Sequence, residues 1–175
     1  MTAGQRKLVL TAHITTSVGW LGAVGGFLAL AVAGLRAQDA ELARGVYVAM
    51  DWIGWTVIVP LSFASLLTGL IQSLGGKWGL FRHHWVVAKL FLNLLAVVVL
   101  LVHMRPIDYM AEVAAKAPLA MGDLHAVRIQ LVVESSAGLF VLLVATILSV
   151  YKPKGTMRIS RPRPEGTGSP HPLRR

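Results

Sequence analysis

Four histidines lie near the ends of long apolar segments, and histidine pairs at such positions can hold a haem iron. His13 and His84 lie close to one end of the predicted helices, whereas His103 and His125 lie close to the other. Two imidazoles at the same depth on different helices can ligate iron from opposite sides. The sequence therefore nominates an inner pair, His13 with His84, and an outer pair, His103 with His125, for haem b. The alternative is that all four form hydrogen bonds at the interfaces, where polar groups are tolerated at low cost.

Other polar side chains interrupt the apolar segments, and they predict which helix faces point into the protein. Lipid offers no hydrogen bonds, so a polar residue within a span is expected to face the bundle. Lys89 and Asn93 are four residues apart and therefore share one helix face. The five predicted intramembrane polar residues are Thr68, Gln72, Lys89, Asn93 and Glu134. Since ionisable residues are missing from the middle of every predicted span, the pattern argues against a continuous proton or ion path.

Glu134 is the residue in this set that most needs a partner. An unpaired carboxylate within a span is costly, and the nearest candidate cations in depth are Arg128, Arg105 and His103. Such pairs commonly serve to neutralise a buried charge, so the sequence favours a structural ion pair over a proton donor.

Several catalytic chemistries are excluded or unsupported by the sequence. The chain has no cysteine, which excludes disulfides, thiolate metal sites and cysteine nucleophiles. Neither a zinc-protease motif nor a phosphate-binding glycine loop is present, and no metal site is predicted. The sequence therefore favours a protein that is not an enzyme.

Four long apolar runs must position these residues. They cover about 8–35, 46–74, 85–104 and 128–151, and a helix needs about 20 apolar residues to cross the hydrocarbon core. The chain of 175 residues is 55% hydrophobic, with a mean hydropathy of +0.63. These features predict an all-α, four-transmembrane-helix bundle in a single domain, 1–151. Short connections make neighbouring helices antiparallel, in up–down–up–down order.

Local signals refine this prediction. Gly22 and Gly26 form a small-xxx-small pair, which favours close helix packing within the bundle or, alternatively, in a homo-oligomer. Pro60 is expected to kink the second span. Ile107–Lys116 is expected to form a separate amphipathic helix in the interface, ended by Pro118.

The charge distribution predicts the orientation of the spans. Of the 17 basic residues, 11 lie in the N-terminus, the second connection and the tail, whereas five lie in the other two connections. By the positive-inside rule, both termini are predicted to lie in the cytoplasm. The protein is accordingly predicted to lie in the plasma (inner) membrane. The tail, 152–175, is rich in Pro, Arg, Gly and Ser, so it is expected to be disordered and to contact anionic headgroups. These basic residues therefore predict that the protein contacts the lipid bilayer and does not bind nucleic acid.

Four segments together resemble a known family. They are His13–Gly22, Pro60–Gly69, Trp78–Lys89 and His103–Met104. This set, covering about 8–105, is similar to bacterial four-span integral membrane proteins that have no assigned activity. At a greater distance, the histidines near the span ends are similar to those of cytochrome b-type and copper-resistance membrane proteins. The resemblance implies a four-span bundle and adds haem as a cofactor to test.

Three functional hypotheses follow from the sequence. The first is a non-enzymatic plasma-membrane protein of unassigned function with polar layers near both membrane faces. The second is a b-type haem protein that moves electrons. The third is a small permease-like subunit.

Overall fold

The computed structural model describes residues 1–75, 84–116 and 124–151, with the backbone alone at 84–86, 89 and 114–116. Some of the sequence predictions therefore lie outside the described residues. They concern the side chains of His84 and Lys89, the connection at 76–83, Pro118, and the tail at 152–175.

The regular structure of the described residues is all helical, with no strand among them, which confirms the predicted all-α class. Five helices are present in this part of the chain: α1 Ala3–Arg36, α2 Ala40–Ile53, α3 Val59–Gly75, α4 His84–Lys116 and α5 His125–Tyr151. A π-helical turn at Gly54–Ile58 joins α2 to α3, so that these form one continuous span. Four segments are long and apolar enough to cross a membrane: Ala3–Arg36, Ala40–Gly75, Leu90–Val113 and His125–Tyr151.

Side-chain caps fix where the first two helices begin. Thr2 and Gln5 form a reciprocal capping box, in which Thr2 Oγ1 accepts from the Gln5 amide at 3.3 Å and Gln5 Oε1 accepts from the Thr2 amide at 2.8 Å. Asp39 Oδ2 accepts from the Leu42 amide at 2.9 Å and begins α2. These bonds satisfy backbone donors that have no partner in the first helical turn.

The π-helical turn lies directly before Pro60. The Val59 amide donates to Gly54 O, five residues back. Proline lacks an amide hydrogen, and its ring clashes with the carbonyl four residues earlier, so a widened turn relieves this crowding. The same turn brings Gly54 close to α4, because a Cβ atom there would lie 2.7 Å from Met104 Cε.

The helix α4 continues through Pro106 to Lys116, which differs from the separate interfacial helix expected at Ile107–Lys116. The reason is tertiary packing. Ile107 and Met110 are buried in the core, and Trp55 Nε1 donates to Asp108 Oδ1 at 2.9 Å. The segment therefore packs against the second span and does not lie apart in the interface.

Large side chains fill the centre of the bundle, and many apolar side chains face outward. Buried core residues include Trp20, Phe27, Tyr47, Met50 and Met104. Exposed large apolar residues occur on every span and include Val18, Phe63, Phe91, Phe140 and Val150. An apolar exterior around a core of this kind is what a lipid environment requires.

Gly22 and Gly26 do not pack against another helix in the part of the chain that the structure describes. No atom lies within 4 Å of a Cβ placed on either residue, and both are exposed. The close contacts that glycine does permit occur elsewhere: Gly34 against Tyr47 and Gly69 against His13. The predicted packing role of the Gly22–Gly26 pair within the bundle is therefore not realised among these residues.

Candidate functional site

A cavity of about 300 Å³ lies between α1, α4, α5 and the π-helical turn. Its wall is mostly apolar and includes Val24 and Phe27 from α1, Leu100 from α4 and Leu142 from α5. Four lining residues carry polar side-chain atoms: Trp20, His103, Glu134 and Ser135. Concave, largely apolar sites with a few placed polar groups are typical of small-molecule binding.

His103 and Glu134 form an ion-pair contact at one end of this cavity. His103 Nε2 lies 2.8 Å from Glu134 Oε1, with side-chain exposures of 29% and 19%. Gln130 Nε2 also donates to Glu134 Oε1, at 2.6 Å. On the other side of the ring, His103 Nδ1 lies 2.6 Å from the carbonyl oxygen of Val99. Both ring nitrogens of His103 are thus engaged.

These contacts determine how many protons the pair holds. A carbonyl oxygen accepts hydrogen bonds and cannot donate, so Nδ1 of His103 must carry a hydrogen toward Val99. The short contact between Nε2 and Glu134 Oε1 then requires one proton between those two atoms. Whether that proton resides on the imidazole or on the carboxyl group, the pair has no net charge, which suits its position on helices apolar enough to cross a membrane.

Two polar atoms of the cavity-lining residues have no hydrogen-bond partner among the described residues. They are Nε1 of Trp20 and Oε2 of Glu134. Trp20 is only 3% exposed, and its indole nitrogen is a donor. Ser135 differs, because its hydroxyl donates to Leu131 O at 2.6 Å.

The backbone levels of Trp20 and Glu134 can be compared through contacts that α1 and α5 both make with Tyr47. Gly34 contacts the Tyr47 ring, and the Arg128 guanidinium lies 5.7 Å from that ring. At about 1.5 Å per helical residue, Trp20 lies about 21 Å from this level along α1, whereas Glu134 lies about 9 Å from it along α5. The backbone positions of Trp20 and Glu134 therefore differ in level by about 12 Å along the bundle.

A second polar cluster surrounds His13 where α1 meets α3. His13 is buried, and its Nδ1 lies 3.1 Å from Ser65 O and 3.2 Å from Thr68 Oγ1. Ser17 Oγ and Ser65 Oγ are 2.8 Å apart. Because Ser65 O can only accept, Nδ1 carries the hydrogen and the lone pair of a neutral ring is on Nε2. Gly69 makes room for the ring, since a Cβ there would lie 2.9 Å from His13 Cε1.

The remaining nominated residues lie in separate places. Asn93 is buried and Gln72 is half-buried, whereas His125 is exposed. Arg128, one of the candidate partners of Glu134, is buried and stacks over Tyr47. In the described part of the chain, no group of three or more His, Asp or Glu side chains could hold a metal ion.

The sequence predictions missed two features of the cavity, Gln130 as a partner of Glu134 and Trp20 as a lining residue. The sequence did contain a signal that Trp20 is buried. Tryptophans of membrane proteins concentrate at the interfaces, so one in the middle of a span indicates a buried role.

Comparisons with known proteins add no assignment to this geometry. No protein family, curated protein or solved structure matches the chain. The functional argument therefore rests on the cavity and the two polar clusters.

Proposed function

We propose that this chain is a plasma-membrane protein that binds small, mostly apolar molecules in the cavity between α1, α4 and α5. The observation that carries the proposal is the cavity itself, about 300 Å³ of largely apolar space. Two of the residues that line it, Trp20 and Glu134, each bury a polar atom that has no hydrogen-bond partner among the described residues. A bundle optimised for packing alone would fill such a space, because interiors are close-packed and unpaired buried polar groups are costly. We assign no reaction to this site.

The proposal includes an up–down–up–down bundle with both termini in the cytoplasm. Its support is the distribution of basic residues, 11 on the proposed inner side against five on the outer side. Four apolar spans, an even number, are compatible with termini on one side.

Reporter fusions test this orientation. Fusions of a cytoplasmically active reporter after Arg82 and after Lys154 should both be active, whereas a fusion after Gln38 should not. The physical reason is that Lys and Arg in short connections are retained on the cytoplasmic side. Activity of a periplasmic reporter at Arg82 or Lys154 would overturn the arrangement.

Occluding the cavity tests the binding function. Gly138 lines the cavity, and no atom lies within 4 Å of a Cβ placed on it, so Gly138→Leu is expected to fill space without a clash. The wild-type protein in amphipol should give a saturable fluorescence increase with N-phenyl-1-naphthylamine, and Gly138→Leu should remove most of it.

Gly26→Leu is the matched control, since Gly26 also has open space but does not line the cavity. It should bind the dye as the wild type does. Equal dye binding by all three proteins would place the dye outside the cavity and contradict the proposal.

Haem b binding remains a second candidate because of one observation at His13. Its Nδ1–H is directed to a backbone carbonyl, Ser65 O at 3.1 Å, which is the arrangement that orients metal-ligating histidines through Nε2. Because residue 69 is a glycine, the imidazole ring of His13 has space beside α3. When bound, haem would supply one-electron transfer. Both ring nitrogens of His103 are engaged, so His103 would have to give up its contact with Val99 O or Glu134 Oε1 to serve as a ligand.

One absorption spectrum decides the haem candidate. Protein purified from haem-supplemented cells should show a Soret band that shifts on dithionite reduction, and His13→Ala should abolish it because an axial ligand is lost. His171→Ala, in the segment 152–175, should leave the band unchanged. A colourless wild-type protein that is folded by circular dichroism would remove this candidate.

A further inference from the structure

The cavity is partly open to the surroundings, and its opening lies between α4 and α5. The lining residues of α1 and of the π-helical turn are all buried, whereas the exposed lining residues belong to α4 and α5: Leu95, Val99 and Ala137. Small residues, Ala96 and Gly138, also line this gap between the two helices. Because both helices are apolar enough to cross a membrane, the opening in a bilayer faces hydrocarbon.

The cavity differs in polarity along its length. His103 and Glu134 both line it and contact each other at 2.8 Å, so they lie at one level. From this level the lining continues for eight residues in each helix, back to Leu95 on α4 and on to Leu142 on α5, which is about 12 Å. Over this length the described lining residues of α4 and α5 are apolar except for Ser135, whose hydroxyl donates within its own helix.

Exposed tryptophans indicate which end of the cavity lies nearer to the membrane surface. Trp52 and Trp55 are 67% and 47% exposed, and indoles concentrate at the interface between lipid and water. Trp55 Nε1 donates to Asp108, which follows His103 by five residues, or about 7.5 Å along α4. The end with His103 and Glu134 therefore lies near an interface, and the apolar end points toward the middle of the membrane.

This arrangement matches the position of a lipid in one leaflet. The hydrocarbon core is about 30 Å thick, so one leaflet contributes about 15 Å, and the apolar part of the cavity extends about 12 Å. A lipid likewise has its polar group at the interface and its hydrocarbon chain pointing to the middle of the bilayer.

We propose that the cavity takes one acyl chain of a bilayer lipid, which enters through the gap between α4 and α5. The head group of the lipid lies at the His103–Glu134 end, and the methyl end of the chain lies between Leu95 and Leu142. This proposal rests on the proposed function, because it names the class of molecule that the cavity binds.

Photolabelling with lipids tests the proposal on the full-length protein in phosphatidylcholine vesicles. Two phosphatidylcholine probes carry a diazirine in one acyl chain, either close to the ester or close to the terminal methyl group. After irradiation, peptide mass spectrometry locates the labelled residues. Buried residues that line the cavity report a chain inside it, whereas Phe140 and Leu143, which are exposed and do not line it, report the surrounding lipid.

The two probes should label different levels of the cavity in the wild type. The probe close to the ester should label Met104 and Leu131, which are buried beside the His103–Glu134 level. The probe close to the methyl group should label Leu142 instead. Both probes are also expected to label outward-facing residues.

Gly138→Leu should remove most of the labelling inside the cavity and leave Phe140 labelled, because leucine at this lining position fills the space. Gly26→Leu, which does not line the cavity, should be labelled as the wild type is. Circular dichroism confirms that each variant is folded.

Labelling confined to outward-facing residues, or the same labelling in Gly138→Leu as in the wild type, would overturn the proposal. Deep labelling by the ester-side probe and shallow labelling by the methyl-side probe would overturn it as well. If N-phenyl-1-naphthylamine binding depends on Gly138 but no acyl chain labels the cavity, the proposal fails while the proposed function stands. If neither signal depends on Gly138, both fail.

Discussion

Gly34→Leu is expected to destabilise the bundle strongly. A Cβ at Gly34 would lie 2.8 Å from the Tyr47 hydroxyl oxygen and 2.9 Å from Cζ of the same ring. Tyr47 is 1% exposed, and the Arg128 guanidinium lies over its ring, so the tyrosine has no space into which to move. Overpacking of this kind costs about 1–3 kcal/mol, and we expect about 3 kcal/mol because leucine adds further carbons beyond Cβ.

Gly22→Leu is the matched control on the same helix. Gly22 is exposed and has no atom within 4 Å of a Cβ placed on it, so its replacement should leave the free energy of unfolding nearly unchanged. Unfolding is followed by circular dichroism as sodium dodecyl sulfate is added to protein in mild detergent. Equal losses in the two variants would show that Gly34 is not a special contact. A change of oligomeric state in Gly22→Leu alone would support the predicted homo-oligomer face.

The number of helices long and apolar enough to cross a membrane could be predicted from the sequence, because the length of such helices is set by the thickness of a bilayer. Its apolar thickness requires about 20 apolar residues per helix, and lipid excludes unpaired backbone groups. The ends of the helices were less predictable. The helix α1 begins at Ala3 and not near residue 8, because Thr2 and Gln5 cap it among polar residues. The helix α4 passes Pro106 because Ile107 and Met110 are buried by other helices.

Part of the site could be predicted for the same reason. A carboxylate within an apolar helix is expected to have a partner, and His103, one of the three candidate cations, does contact Glu134. Which candidate it would be depends on helix rotation, which the sequence does not specify. The cavity could not be predicted, because it arises from space that side chains of several helices leave unfilled. Likewise, Ser65 O as acceptor for His13 is a backbone atom and has no sequence signature.

His103→Leu is expected to lower the free energy of unfolding by about 2 kcal/mol, because it leaves Glu134 with Gln130 alone. Removal of one partner from a fully buried pair costs about 3–5 kcal/mol. The exposures here, 29% and 19%, allow some solvation and reduce the effect. The measurement is the same detergent-denaturant titration, performed at neutral pH.

The double variant His103→Leu/Glu134→Leu separates loss of the pair from loss of packing. Apolar residues in place of both partners leave no carboxyl group to solvate, so the double variant should be more stable than His103→Leu and close to the wild type. The difference between the double variant and the sum of the single variants gives the coupling energy of the pair. Additive losses would contradict the proposed sharing of one proton. A coupled pair would instead mean that His103 and Glu134 act as one unit without net charge, so that neither side chain adds an unpaired charge to the wall of the cavity.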